Sequence, residues 1–183
     1  MSFPNTSVSE RWATPQWLFD RLNAEFRFDL DAAADASNHK CDLWFGPDGL
    51  VSDSLSLSSW SLPIDTEYAV WHGASSVWCN PPYSKKGGGI YPWMVKGLET
   101  ARAGAVCVML IYARTDTRAW SQIVHPYADE VRLIAGRLKF EPPPDYTGTA
   151  TTAGAPSAVI VFRPETAWMG RPGGAQYRVM EQP

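Results

Sequence analysis

The sequence has few cysteines and no long hydrophobic run. Its three cysteines, Cys41, Cys79 and Cys107, are widely spaced and form no Cys-x-x-Cys pair, which disfavours a zinc site and a disulfide framework. No apolar run approaches the roughly 18 residues that a membrane span needs. The N-terminus also lacks the basic start and apolar stretch of a signal peptide. The sequence therefore predicts a cytoplasmic protein without a metal ion.

The sequence also lacks internal repeats and the Gly-x-x-x-x-Gly-Lys-Ser/Thr motif, and the second absence disfavours a nucleotide triphosphatase. The net charge of −3 is distributed unevenly. Residues 20–67 carry ten acidic and three basic side chains, whereas residues 84–140 carry nine basic and four acidic ones. This separation is compatible with one face for a cationic cofactor and another for a polyanion, although solvated charge on ordinary helices gives similar counts.

A chain of 183 residues, 45% of them hydrophobic, can bury the core of one domain. We expect a flexible lead at 1–11, a main domain at 12–165 and a peripheral tail at 166–183.

Apolar periodicity predicts strands alternating with helices. A first helix should begin at Thr14-Pro15, with Thr14 as its N-cap and Pro15 in its first turn. Further helices are predicted at 91–101 and 116–124, and a long loop at 141–156. Strands are predicted at 28–34, 76–79, 105–111, 130–134 and, as the last, 157–162, with a strand or hairpin arm at 136–140. This order predicts a three-layer α/β sheet, mostly parallel, with a terminal antiparallel hairpin.

The tetrapeptide Asn80-Pro81-Pro82-Tyr83 follows one of the buried strands. It is typical of enzymes that methylate an exocyclic or amide nitrogen, whose delocalised lone pair must be localised by hydrogen-bond acceptors before it can attack. Asn80 can supply a side-chain oxygen, and Pro81 can supply a stiffly held carbonyl because consecutive prolines have fixed φ angles. Tyr83 offers a flat face on which a base can stack. The same four residues can also form a simple turn.

Seven segments in order along residues 12–162 carry a resemblance to a known family. They are Trp12 to Pro15, Phe28 to Ala34, Asn38 with Lys40-Cys41, Asn80 to Ser84, Ala113 to Thr117, Gly136 to Phe140, and Ala155 to Ala158. Through them the chain resembles the phage DNA N-6-adenine methyltransferases, small Dam-like enzymes.

The resemblance implies a Rossmann-like class I methyltransferase fold, S-adenosylmethionine as methyl donor and adenine N6 in DNA as acceptor. It also implies a phage- or prophage-encoded enzyme acting in a bacterial host. The implied cofactor-binding residues are Thr14, Pro15, Asp31, Ala32, Ala33 and Asp53. Among them, Asp31 would hold the methionine amino group, or serve only as a turn acid, and Asp53 would contact the adenine or ribose. The alanines stand where the broader methyltransferase pattern has glycines.

The resemblance also implies direct in-line methyl transfer to an extruded base, because a stacked adenine cannot reach a buried donor. Asn80, Pro81, Pro82 and Tyr83 are the catalytic candidates, with Tyr83 stacking on the base. Candidate DNA contacts are Lys85, Lys86, Arg114, Arg118, Arg137 and Lys139. Three alternatives remain open: methylation of a protein glutamine, methylation of an RNA adenine, and DNA binding without catalysis.

Overall fold

The computed structural model describes residues 11–61, 63–65, 70–83, 88–149 and 152–183. The predicted lead at 1–11 lies outside this part of the chain except for Arg11. The helices are α1 (Gln16–Phe26), α2 (Ile90–Arg102) and α3 (His125–Tyr127), with a π-helical segment at Trp120–Val124 directly before α3. The strands are β1 (Leu30–Asp31), β2 (Ile64–Asp65), β3 (Val70–Trp71), β4 (Ser76–Cys79), β5 (Val106–Tyr112), β6 (Glu130–Ile134), β7 (Ser157–Phe162) and β8 (Gln176–Met180). Among the helices described, none has the length and apolar character required to cross a membrane.

Six of the strands form one mixed sheet in the order β1-β4-β5-β7-β6-β8. Strand β7 is antiparallel to both of its neighbours, and every other neighbouring pair is parallel. Strands β2 and β3 form a separate antiparallel pair. The predicted α/β class is confirmed, with a mostly parallel sheet that contains an antiparallel part.

Apolar side chains cover both faces of this sheet. Alternate residues of β4 and β5 point to opposite sides, so that Cys107 and Met109 join the core beneath α2, while Val108 and Leu110 join the core beneath α1. A strand buried on both faces has an almost uninterrupted apolar sequence, which is why β5 and β7 were predictable from composition alone. The three cysteines are buried and free.

Helix α1 begins at Gln16, and its N-cap is Pro15. The prediction of Thr14 as N-cap is wrong, because the Pro15 carbonyl accepts the first helical hydrogen bonds from the N–H groups of Leu18 and Phe19. Thr14 instead lies buried in front of the helix.

Residues 136–140 are not a strand, although a hairpin arm was predicted there. The segment leaves the sheet after β6, and the Leu138 carbonyl accepts a hydrogen bond from the Ala153 N–H instead. Among the described residues, the edge of β7 that faces away from β5 therefore pairs with β6 and not with residues 136–140.

Strand β7 is not the last strand, because β8 pairs in parallel with the outer edge of β6. Only Met180 of its five residues is buried. An exposed edge strand carries little of the hydrophobic pattern that identifies a buried one, and the sequence analysis missed it for this reason.

Candidate active site

A pocket opens at the carboxyl ends of β1 and β4, which are neighbours in the sheet. Open α/β sheets bind their ligands at such an edge. Its empty volume, including the part open to solvent, is about 650 Å³. Its lining is formed by Ala33, Ala34, Asp35, Asn38, Phe45, Gly46, Pro47, Ser52, Asp53, Ser54, Asn80, Pro82 and Trp93. Four residues singled out from the sequence, Ala33, Asp53, Asn80 and Pro82, thus share one cavity.

The wall after β1 is built by close contact between two backbone segments. The Ala34 N–H donates to the Phe45 carbonyl at 3.0 Å, and the Phe45 N–H donates to the Asp31 carbonyl at 2.9 Å. Gly46 has a φ of +138°, and a Cβ placed on it would lie 1.9 Å from the Ala34 carbonyl oxygen. Gly46, which was not singled out from the sequence, is therefore the residue that allows these two backbone segments to approach closely.

Asp31 lies behind this wall and does not line the pocket. It is 2% exposed, and its carboxylate accepts hydrogen bonds from the N–H groups of Ala33 at 3.3 Å and Lys40 at 3.1 Å. Desolvation raises the pKa of Asp31 to about 6, against the opposing effect of these hydrogen bonds and of nearby His39 and Lys40. Its observed contacts hold the turn together.

The buried carboxyl group of Asp31 predicts a specific pH dependence of stability. Its folded pKa of about 6 lies above its unfolded value, so the folded state binds the proton more tightly. The free energy of unfolding should therefore fall as pH rises from about 4 through 6, by on the order of 2 kcal/mol from this group. Chemical denaturation across this range should show the stability of the wild type falling relative to that of Asp31→Asn, in which this group cannot titrate. Parallel curves for the two proteins would contradict the expectation.

Thr14 and Pro15 lie outside the pocket lining as well. The chain just before them is held by two hydrogen bonds between the backbones of Ala13 and Glu141, each 2.9 Å long. The Lys40 ammonium then joins the Glu141 carboxylate at 3.2 Å. These contacts tie the chain before α1 to Glu141 and to Lys40.

The tetrapeptide turns away from the sheet directly after β4. Asn80 is half-buried and Pro81 is buried. The Tyr83 hydroxyl lies 3.1 Å from Asn80 Oδ1 and 3.0 Å from the Leu110 carbonyl oxygen, so its proton is shared between two acceptors. Burial raises the pKa of Tyr83 well above its usual range, and the neutral hydroxyl therefore remains a donor.

The Tyr83 ring is itself stacked on Tyr112, with ring centroids 4.1 Å apart and planes 14° from parallel. Tyr112 is the last residue of β5, next to β4 in the sheet. A base stacking on Tyr83 must use the face that Tyr112 leaves free. Tyr112 was not predicted from the sequence, because its contact with Tyr83 depends on the register in which β4 and β5 pair.

Tyr83→Phe separates the ring from the hydroxyl. Phenylalanine keeps the surface that stacks on Tyr112 but cannot hold the Asn80 oxygen, so we expect turnover to fall roughly tenfold, the equivalent of one hydrogen bond. Single-turnover rates of the methyl transfer that the resemblance implies, at saturating concentrations of both substrates, measure this effect. Tyr146→Phe, which loses an exposed hydroxyl bonded to the Thr149 carbonyl at 3.4 Å, is the control. Equal rates for Tyr83→Phe and wild type would remove the hydroxyl from the mechanism.

The candidate DNA contacts divide into two groups. Lys85 and Lys86 lie outside the described residues. Four others are exposed and form no ion pair within the described part of the chain: Arg114, Arg118, Arg137 and Lys139. Arg137 and Lys139 are both exposed and flank the buried Leu138, but the strand on which their alternation was predicted does not form. Arg114 lies 5.4 Å from the centre of the Tyr112 ring.

Comparison with known proteins identifies the family of this chain. The model of the family described as DNA N-6-adenine-methyltransferase (Dam) matches residues 2–172. A DNA N-6-adenine-methyltransferase of Haemophilus phage HP1 (strain HP1c1) is 26% identical over 171 residues, which cover 90% of this chain and 86% of that protein. A DNA N-6-adenine-methyltransferase of Escherichia phage T1 is 26% identical over 133 residues, or 72% of this chain and 48% of that protein.

Proposed function

Since the chain belongs to the DNA N-6-adenine-methyltransferase (Dam) family and methylates adenine N6 in DNA, we propose that it binds S-adenosylmethionine in the pocket at the carboxyl ends of β1 and β4. One observation carries the proposal: Ala33 and Asp53 line the same cavity as Asn80. The sequence alone left a protein glutamine and an RNA adenine open as methyl acceptors. Membership of this family identifies adenine in DNA as the acceptor.

The residues that line the pocket fit this cofactor. Trp93 and Phe45 provide apolar and aromatic surface for a purine ring, and the carboxylates of Asp35 and Asp53 suit ribose hydroxyls or an ammonium group. The pocket reaches Asn80, so a ligand held there ends beside the tetrapeptide. When bound, S-adenosylmethionine supplies an activated methyl group on a sulfonium.

The acceptors of the tetrapeptide prepare the adenine amine for attack. Asn80 Oδ1 and the Pro81 carbonyl each accept one N–H of the amine, which turns its lone pair out of the ring plane. The Tyr83 hydroxyl, bonded to both Asn80 and Leu110, limits rotation of the Asn80 amide. The amine proton leaves to water after transfer, because the methylated nitrogen is strongly acidic until it loses that proton.

The target adenine must leave the DNA helix to reach this position. We place the extruded base against the face of Tyr83 opposite Tyr112. Arg114, Arg137 and Lys139, exposed and without ion-pair partners among the described residues, contact the phosphate backbone in this proposal. Both matched relatives are phage proteins, which supports action on DNA in the cytoplasm of a bacterial host.

The Asp53→Asn variant tests the cofactor site. Asp53 Oδ1 caps the short helical turn Ser54–Ser56 by accepting the Leu55 N–H at 3.1 Å, and asparagine retains that cap while losing the charge. We expect S-adenosylmethionine to bind roughly 3- to 10-fold more weakly by calorimetry, because a neutral amide oxygen replaces a charged acceptor. Asp42→Asn, on an exposed residue outside the pocket lining, is the matched control. If Asp53→Asn and Asp42→Asn bound S-adenosylmethionine with equal affinity, the ribose of the cofactor would not contact Asp53.

A further inference from the structure

Two exposed side chains, Arg118 and Gln122, and the half-buried Tyr91 form a preorganised cluster at the edge of the sheet where the tetrapeptide lies. Tyr91 lies in the first turn of α2, whereas Arg118 lies just before the π-helical segment and Gln122 lies within it. These elements follow the carboxyl ends of β4 and β5, on the same edge of the sheet as the active site. The Arg118 guanidinium lies 4.1 Å from the centre of the Tyr91 ring. Its Nε donates to Gln122 Oε1 at 2.9 Å, and its Nη2 lies 3.3 Å from the Tyr91 hydroxyl.

The hydrogen bonds within this cluster occupy its acceptors and leave donors free. Gln122 Oε1 accepts from Arg118 and also from the Tyr91 hydroxyl, at 3.1 Å. The Tyr91 oxygen accepts from Arg118. Two N–H groups of Nη1, one of Nη2 and the Gln122 amide N–H groups have no partner within the described residues. The cluster therefore presents several donors in a fixed geometry and no free acceptor.

A surface that presents only free hydrogen-bond donors favours a ligand whose facing edge presents only hydrogen-bond acceptors. In the DNA major groove, guanine presents two adjacent acceptors, N7 and O6, whereas adenine presents an acceptor and a donor. Resting on the proposed function, we propose that Arg118, held by Tyr91 and Gln122, reads a guanine close to the adenine that is methylated. Arg118 is then a specificity-determining residue, a different role from the phosphate contact that the sequence predicted.

The surroundings of Arg118 favour a base over a phosphate. A recess beside it has an empty volume of about 690 Å³, open to solvent, and its lining includes apolar Ile90, Pro92 and Ala119. A phosphate would gain nothing from these apolar groups, whereas a base edge can pack on them. The ring of Tyr91 also holds the guanidinium in one plane. Two parallel hydrogen bonds to a base edge require such a fixed plane, whereas electrostatic attraction to a phosphate does not.

Methylation of a randomised DNA library by the wild type, Arg118→Ala and Arg137→Ala tests the assignment. Each variant loses one exposed arginine. We expect the wild type to prefer guanine at a fixed offset from the methylated adenine, and Arg118→Ala to lose roughly tenfold or more of that preference. Arg137→Ala should lower methylation uniformly and reduce its salt dependence. Replacing that guanine by 7-deazaguanine should slow the wild type several-fold and leave Arg118→Ala unaffected.

Two results would overturn the inference. One is a uniform loss across all sequences in Arg118→Ala together with a smaller salt dependence, which would identify a phosphate contact. The other is a wild type that methylates DNA with no guanine preference at any offset. Failure of the proposed function is distinguishable from both, because the wild type would then bind no S-adenosylmethionine and transfer no methyl group to any DNA sequence.

Discussion

Asn80→Ala is expected to lose roughly 10²-fold or more in turnover while it still binds S-adenosylmethionine and DNA. The Asn80 oxygen acts on the amine in the transition state, and removal of one such preorganised polar group raises the barrier by about 3–4 kcal/mol. Although Asn80 lines the pocket, it is one of thirteen residues that do so, so cofactor affinity should change little. Single-turnover methylation of a DNA duplex, with calorimetry of cofactor binding, measures the two effects separately.

Asn23→Ala is the matched control for this substitution. The Asn23 side chain accepts the Phe28 N–H at 2.8 Å near the end of α1 that is remote from the pocket, so its loss affects stability and not the chemical step. Turnover like that of the wild type in Asn80→Ala would remove Asn80 from the amine-binding role. A parallel loss of cofactor binding and turnover would show instead that the residue shapes the pocket.

The tetrapeptide stands out in the sequence because its four residues are contiguous and their chemistry is unusual. The central strands were predictable for a related reason, since burial on both faces leaves β5 and β7 almost wholly apolar. Both features are local in the chain. They do not depend on knowing which segments meet in the folded protein.

The residues that support the tetrapeptide come from distant segments and were not predictable in this way. Tyr112 meets Tyr83 only because β4 and β5 pair in one register. Asp31, the last residue of β1, was predicted to contact a ligand or to hold a turn, and in the structure its carboxylate accepts hydrogen bonds from two backbone N–H groups. Whether a carboxylate faces a ligand or holds a turn depends on the path of the following chain, which composition does not specify.

Gly46→Ala is expected to abolish measurable binding of S-adenosylmethionine and to lower the free energy of unfolding. The added Cβ would lie 1.9 Å from the Ala34 carbonyl oxygen, which belongs to the backbone of the pocket wall and cannot rotate away. Alanine at a φ of +138° adds backbone strain. We expect roughly 1–3 kcal/mol from strain and a similar cost from overpacking, and relief of the contact should move the wall into the pocket.

Gly104→Ala separates the two effects. Gly104 has a similar φ of +106°, but no atom lies within 4 Å of its added Cβ. It precedes β5, at the edge of the sheet opposite the pocket. This control should therefore show the loss of stability from strain alone and bind the cofactor as the wild type does. Thermal denaturation and calorimetry of both variants make the comparison. Normal cofactor affinity in Gly46→Ala would show that contact between Gly46 and Ala34 does not shape the pocket, and the cofactor would then have to be sought away from this wall.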